Sequence, residues 1–216
     1  MVAIALPVFN GVLERAKVTK DLSNLRQIGM ATQLYMNDNS GVLFSSTTGS
    51  WMSQLYSVNA ATPKYLTSWK VLLSPFDPVA NSAVPNRTAS TNNAKSAVSY
   101  GINATSGVVG ISADRISKPA VFIVFGPAQD STSTAVRFQG VGDTTSDTNL
   151  AASSNVKVVA NTSNPGGTAT GGTHSSRTKI NALFADWHVE TMLWSGTGPA
   201  FTNTTATGSD PDGAYR

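Results

Sequence analysis

The sequence predicts an α+β fold: one long N-terminal α-helix packed on an antiparallel β-sheet, with long polar loops. Three observations carry this. Residues 12–36 contain no Gly-Pro or Asn-Gly breaker and repeat apolar side chains at helical spacing. Short runs rich in Val, Ile, Phe and Tyr, bounded by turn formers, recur at residues 96–102, 119–125, 180–185 and 188–193. Between them lie stretches of Ser, Thr, Asn and Gly rather than charge. With 216 residues and 40% hydrophobic content, the chain can bury one sizeable core or two small ones. The natural division is a helix over residues 1–40 and a β-rich head over residues 41–216.

The helix changes character along its length. Its second half has one apolar face, through Leu22, Leu25, Ile28 and Tyr35, with Gly29 and Thr32 on the same stripe. That face suits packing on a sheet. The first half is apolar all round: Val2, Ile4, Leu6, Pro7, Val8, Phe9, Val12 and Leu13. Such a surface needs lipid or other chains around it. Pro7 has two readings, a kink within a longer helix or a place in the first turn, where its missing N–H costs nothing. Arg15, Lys17, Lys20 and Arg26 form either a solvated face or a basic collar for anionic headgroups. Asn37, Asp38, Asn39, Ser40 and Gly41 end the helix, with a glycine able to take a left-handed cap.

Only 12% of residues are charged, about half the usual share. Few charges with many hydroxyls and amides suit an extracellular surface better than a cytosolic enzyme. The net charge is +3, and no Lys/Arg run lies outside the helix, which argues against a dedicated nucleic-acid site. The absence of cysteine excludes disulfides and thiolate metal sites. No window of eighteen apolar residues exists.

After the helix, Val42, Leu43 and Phe44 make a short apolar exit. Trp51, Leu55 and Tyr56 fit the inward side of a helical turn. The run from Pro119 to Phe125 is apolar without interruption, which predicts a strand buried on both faces. Residues 127–172 read as a variable surface loop with at most one hairpin, at Val156 to Val159. Residues 180–193 read as a hairpin turning at Asp186-Trp187. Glycine is usual at the second turn position because it takes positive φ. Tryptophan there implies a different turn, or a ring that plugs into a neighbouring molecule.

Candidate sites are few. His174, Asp186 and His188 are metal-ligand types, but their spacing fits no zinc motif. A structural reading suits them better: His174 orients its loop, Asp186 accepts turn N–H groups and His188 pairs across the hairpin. Asp210 and Asp212, in Asp-Pro-Asp-Gly, resemble part of a calcium loop whose remainder is missing. The sequons at Asn86, Asn103, Asn161 and Asn203 are no more than this composition gives by chance. There is no nucleophile elbow, phosphate loop or dinucleotide fingerprint, so neither an enzyme nor a cofactor is expected.

The segment from Ala5 to Asn39, with its Ala-Leu-Pro step, basic middle and apolar stripe, resembles the N-terminal helix of type IV pilins and type II secretion pseudopilins. The head is similar to that of the long pilin-like proteins of planctomycete and verrucomicrobial bacteria. Trp51, the Tyr65-Leu66 pair and Ser99-Tyr100-Gly101-Ile102-Asn103 match steps of that pattern. So do His174 and the turn through Phe184, Asp186, Trp187 and His188. Two departures stand out: Ser74-Pro75-Phe76-Asp77 replaces a Cys-Pro-x-Asp step, and Trp187 replaces Gly. The family's Gly before its cleavage point and the Glu at its fifth mature position have no counterpart, so Met1 enters the pattern partway through the anchor. The resemblance implies a pilin-like fold and a homo-oligomer: a helical filament of identical subunits at the cell surface. It also implies assembly machinery at the inner membrane. The alternatives are a pseudopilin of a type II secretion system, which brings the calcium of major pseudopilins, and a non-polymerising surface-binding module.

Overall fold

The computed structural model describes residues 5–44, 51–56, 65–77, 98–102, 112–116, 118–120, 122–127, 172–176 and 178–193. Val2, Ile4, the loop at 128–171, the four sequons, and Asp210 with Asp212 lie outside the described residues. So do the side chains of Leu6, Pro7 and Val8.

Helix α1 (Ala5–Asp38) is followed by a short helix α2 (Trp51–Leu55) and a 3-10 turn (Trp69–Leu72). Four strands form one antiparallel sheet in sequence order: β1 (Tyr100–Ile102), β2 (Ile123–Pro127), β3 (Lys179–Phe184) and β4 (Val189–Leu193). The architecture is therefore α+β, with α1 laid against β3 and β4. Pro7 is the third described residue of α1. The residues before Ala5, on which the choice between a kink and a first-turn place rests, lie outside the described residues. At the other end Asn39 Nδ2 donates to the Tyr35 carbonyl, and the Asn39 and Gly41 N–H groups both donate to the Met36 carbonyl. Ser40 and Gly41 take the left-handed conformation that this closure requires.

Leu25, Ile28 and Tyr35 are buried, as are Gly29 and Thr32. Gly29 meets Leu183 of β3, whereas Tyr35 packs on Phe44 and Tyr65 and its hydroxyl donates to Gln54 of α2. Leu22 is a correction: it is only half-buried, because at that turn the helix faces the sheet through Asp21 and Asn24 instead. Beyond α1, Phe44 and Trp51 close over Phe125, with ring centroids 6.1 and 4.9 Å from it. Burying each such side chain stabilises the fold by roughly 1.5–3 kcal/mol. Tyr56 is half-buried rather than fully inward.

The strands are shorter than the sequence pattern suggests. Val98 and Ser99 are buried but precede β1. Pro119 and Ala120 form a turn, and β2 begins at Ile123. The carbonyls of Pro119 and Phe122 are occupied by the Ala185 N–H instead of a strand ladder. Phe122 to Phe125 are fully buried, the two-faced burial that an unbroken apolar run implies.

The β3–β4 turn corrects the reading of Trp187. The Trp187 N–H donates to the Phe184 carbonyl, and the Phe184 N–H to the His188 carbonyl. This is a tight turn followed by one left-handed residue, and that residue is Trp187, with φ 71°. Its ring does not need a neighbouring molecule to rest on. It lies on α1 at Gly29, where a Cβ would stand 3.7 Å from the ring and 3.2 Å from Leu183. The missing side chain at Gly29 thus lets both the hairpin and the ring approach the helix. Trp187→Ala loses the ring and keeps the strained backbone, whereas Trp187→Gly loses the ring and also relieves the strain. Urea unfolding should find the glycine variant more stable than the alanine variant by about 1 kcal/mol. Equal stabilities would contradict the strain.

Candidate functional site

Two features of α1 stand apart from ordinary core packing, a buried polar joint at its centre and an apolar face turned outward.

The joint is built on Asp21, only 3% exposed. Ser74 Oγ and Tyr100 OH both donate to its Oδ1 at 2.6 Å, and Asn181 Nδ2 donates to its Oδ2 at 2.8 Å. One turn on, Asn24 Nδ2 donates to the Leu73 carbonyl at 2.9 Å and to Tyr100 OH at 3.3 Å. Thr191 Oγ1 donates to Asn181 Oδ1 at 2.7 Å, which brings in β4. Ser99 Oγ donates to the buried Asp77 at 2.8 Å, so the Ser74–Asp77 step is tied to α1 at one end and to the segment leading into β1 at the other. A single carboxylate therefore joins α1 to the 74–77 step, β1 and β3. Ser74 occupies the place of a cysteine in the resembling pattern, and here its hydroxyl is a donor to the joint.

Burial raises the Asp21 carboxyl above its ordinary value; its hydrogen bonds from Ser74, Tyr100 and Asn181 oppose this without cancelling it. The Tyr100 phenol is pushed up, first by burial and then by the charge of Asp21.

The outward face begins where the joint ends. Among residues 9–20 only Glu14 and Val18 are even half-buried. Phe9 is 60% exposed, Val12 57% and Leu13 45%; further along, Met30 is 57% and Leu34 53% exposed. At 3.6 residues per turn these five, with Ala16, fall within a sector of about 100°, centred roughly 130° from the buried face. Arg15, Lys17, Lys20 and Arg26 are exposed along the same stretch. The outward apolar side chains thus form two groups, Phe9 to Leu13 and Met30 with Leu34, separated on the same sector by Lys20, Ser23 and Gln27. Among the described residues the head leaves both groups exposed. Among the described residues no helix is long and apolar enough to cross a membrane.

The hairpin residues separate into two places. Asp186 accepts the His188 N–H at 3.2 Å and pairs with His188 Nδ1, while His188 Nε2 stands 3.6 Å from Glu190. The His188 ring stacks on Phe184 at 4.3 Å. His174 is elsewhere: it stacks on Phe76 at 5.0 Å, with Thr173 Oγ1 3.0 Å from its Nδ1. Burial lowers its pKa. Among the described residues no group of three His, Asp or Glu side chains is placed to hold a metal ion.

Comparison with family models, curated proteins and solved structures returns no match.

Asp21, Asn24 and Asn181 were not singled out by the sequence pattern. A signal existed: Asp21, Leu25, Ile28, Thr32 and Tyr35 keep strict three–four spacing, so Asp21 rather than Leu22 continues the buried stripe.

Asp21→Ala leaves three buried donors without their acceptor and should cost about 3 kcal/mol or more in urea unfolding. A loss well under 1 kcal/mol would place the joint in solvent. The pH dependence has a fixed sign. Because the folded carboxyl titrates above 3.8, the folded state holds this proton where the unfolded chain has released it. This group's contribution is complete below 3.8 and is lost as pH rises through the raised folded value. The stability difference between the natural protein and Asp21→Asn should therefore fall across that window and then level off. A difference that rises there contradicts the assignment.

Proposed function

We propose that this protein is the structural subunit of a helical filament of the type IV pilus kind, displayed outside the cell. In this reading the exposed face of α1 packs against the same helix in other copies. The observation that carries it is the stripe from Phe9 to Leu34, large apolar side chains held on a rigid helix and left uncovered by their own chain. Monomeric proteins rarely expose contiguous apolar surface, and Phe9, Val12 and Leu13 stand together on one face of α1. Supporting it are the resemblance of residues 5–39 to a pilin helix and the α+β head fixed to one half of that helix. The polar loops would then face outward.

The physics of assembly follows from area. Each Phe, Val or Leu side chain buried between copies contributes roughly 1.5–3 kcal/mol. When different parts of this surface meet on neighbouring copies, the contact is heterologous and leaves the assembly open, whereas like-to-like pairing would close a dimer.

Negative-stain electron microscopy and sedimentation of the full chain test this. Fibres are expected at neutral pH. Val12→Asp places a charge in the stripe and should abolish fibres while leaving thermal unfolding of the head unchanged, because Val12 makes no core contact. A natural chain that stays monomeric at high concentration would contradict the reading, as would fibres unaffected by Val12→Asp. Short fibres seen only on overproduction would favour a secretion pseudopilus over a surface pilus.

A further inference from the structure

The free half of α1 does not lie flat on the head. A cavity of about 360 Å³ opens between them, walled by Leu13, Glu14 and Lys17 on the helix and by Phe76, His174 and Ser176 on the head. The helix is pinned across it by the Glu14 carboxylate, which accepts the Ser175 N–H. Ser175 and Ser176 are both held at positive φ, 51° and 55°, in the turn that forms the far wall. The Phe76 ring, Leu13 and the aliphatic stem of Lys17 make much of the lining apolar. A cavity of about 150 Å³ suffices for a benzene ring, so this one has room for one or two aliphatic side chains.

The same helix presents Met30 and Leu34 as isolated apolar knobs on its outer face. They cannot reach the cavity of their own chain. Seventeen residues separate Leu13 from Met30, and likewise Lys17 from Leu34, which is about 25 Å along the axis. A hole and a knob at different heights and on different faces of one molecule are complementary only between molecules. Such a contact is head-to-tail and does not close.

We propose that, in the filament, Met30 and Leu34 of one copy enter the cavity between α1 and the Phe76–His174 wall of the next. This fixes the stagger between neighbours at about 25 Å along α1. The same shift sets the exposed Asp38 of one copy at the level of the exposed Lys20 of the next, so opposite charges meet. An in-register packing would instead place four cations of each copy beside the same four of its neighbour. The proposal rests on the filament reading and adds to it the residues that set the register.

The absence of native cysteine makes cross-linking a clean test. Filaments of a full-length Ser176→Cys/Leu34→Cys double variant are oxidised and run without reductant. Ser175 sits beside Glu14, so within one chain the two thiols are separated by about 30 Å of helix and cannot pair. A ladder of covalent multimers is expected, with single variants giving none. Filaments that form but yield no ladder overturn the proposal and leave the filament reading intact; a chain that forms no filaments overturns both. As a second measure, Leu34→Lys should raise the critical concentration for assembly about tenfold or more, with unchanged thermal unfolding. An unchanged critical concentration overturns the proposal.

Discussion

A carboxylate buried without a cation is costly unless every lone pair has a donor. Asp21 is such a group, and the way its cost is offset dictates much of the architecture. Ser74, Tyr100 and Asn181 come from three distant parts of the chain, and each places a donor on it. Apolar packing alone would let α1 slide or rotate over the sheet at little cost. Hydrogen bonds of fixed length and direction do not permit that. The joint therefore sets where along α1 the head is attached, and so which residues of the helix are left over.

What is left over is the half of α1 before Asp21 and the outer face beyond it. Glu14 makes one bond to the head across an open cavity, and among the described residues the rest of this half, Val18 apart, is exposed. The rigidity needed to hold apolar side chains in solvent comes from the helix backbone, anchored at the joint. A filament subunit needs this combination: a firm attachment at one height and a free surface at another. The reading of the protein as a pilus-like subunit grows from that mechanical arrangement and from the resemblance of its first helix.

Much of the fold is legible in the residue pattern. The long helix follows from residues 12–36 with no breaker, and β2, β3 and β4 from their apolar runs. Strand ends were misplaced where backbone groups found partners outside the ladder, as at Pro119, whose carbonyl serves Ala185. Trp187 defeated turn chemistry because its strain is local while its compensation, the bare surface at Gly29, lies in another element. Leu22 misled because hydrophobic pattern ranks residue types, and the face it should have marked is polar. The joint itself was hidden for the same reason. An Asp set among the basic residues of α1 reads as solvated until Tyr100 and Asn181 are known to stand beside it. The exposed stripe is half legible: Phe9, Val12 and Leu13 stand out in sequence, whereas Met30 and Leu34 are distinguished only by the head lying on the opposite side.

Hydrogen–deuterium exchange read along α1, before and after assembly, tests the central claim most directly. In the dispersed chain, amides of residues 9–20 should exchange fast and those of residues 21–35 slowly. On assembly the first set should become protected while the second changes little. Protection of residues 9–20 already complete in the dispersed chain would contradict the account, for it would mean that this half of the helix is covered by its own molecule.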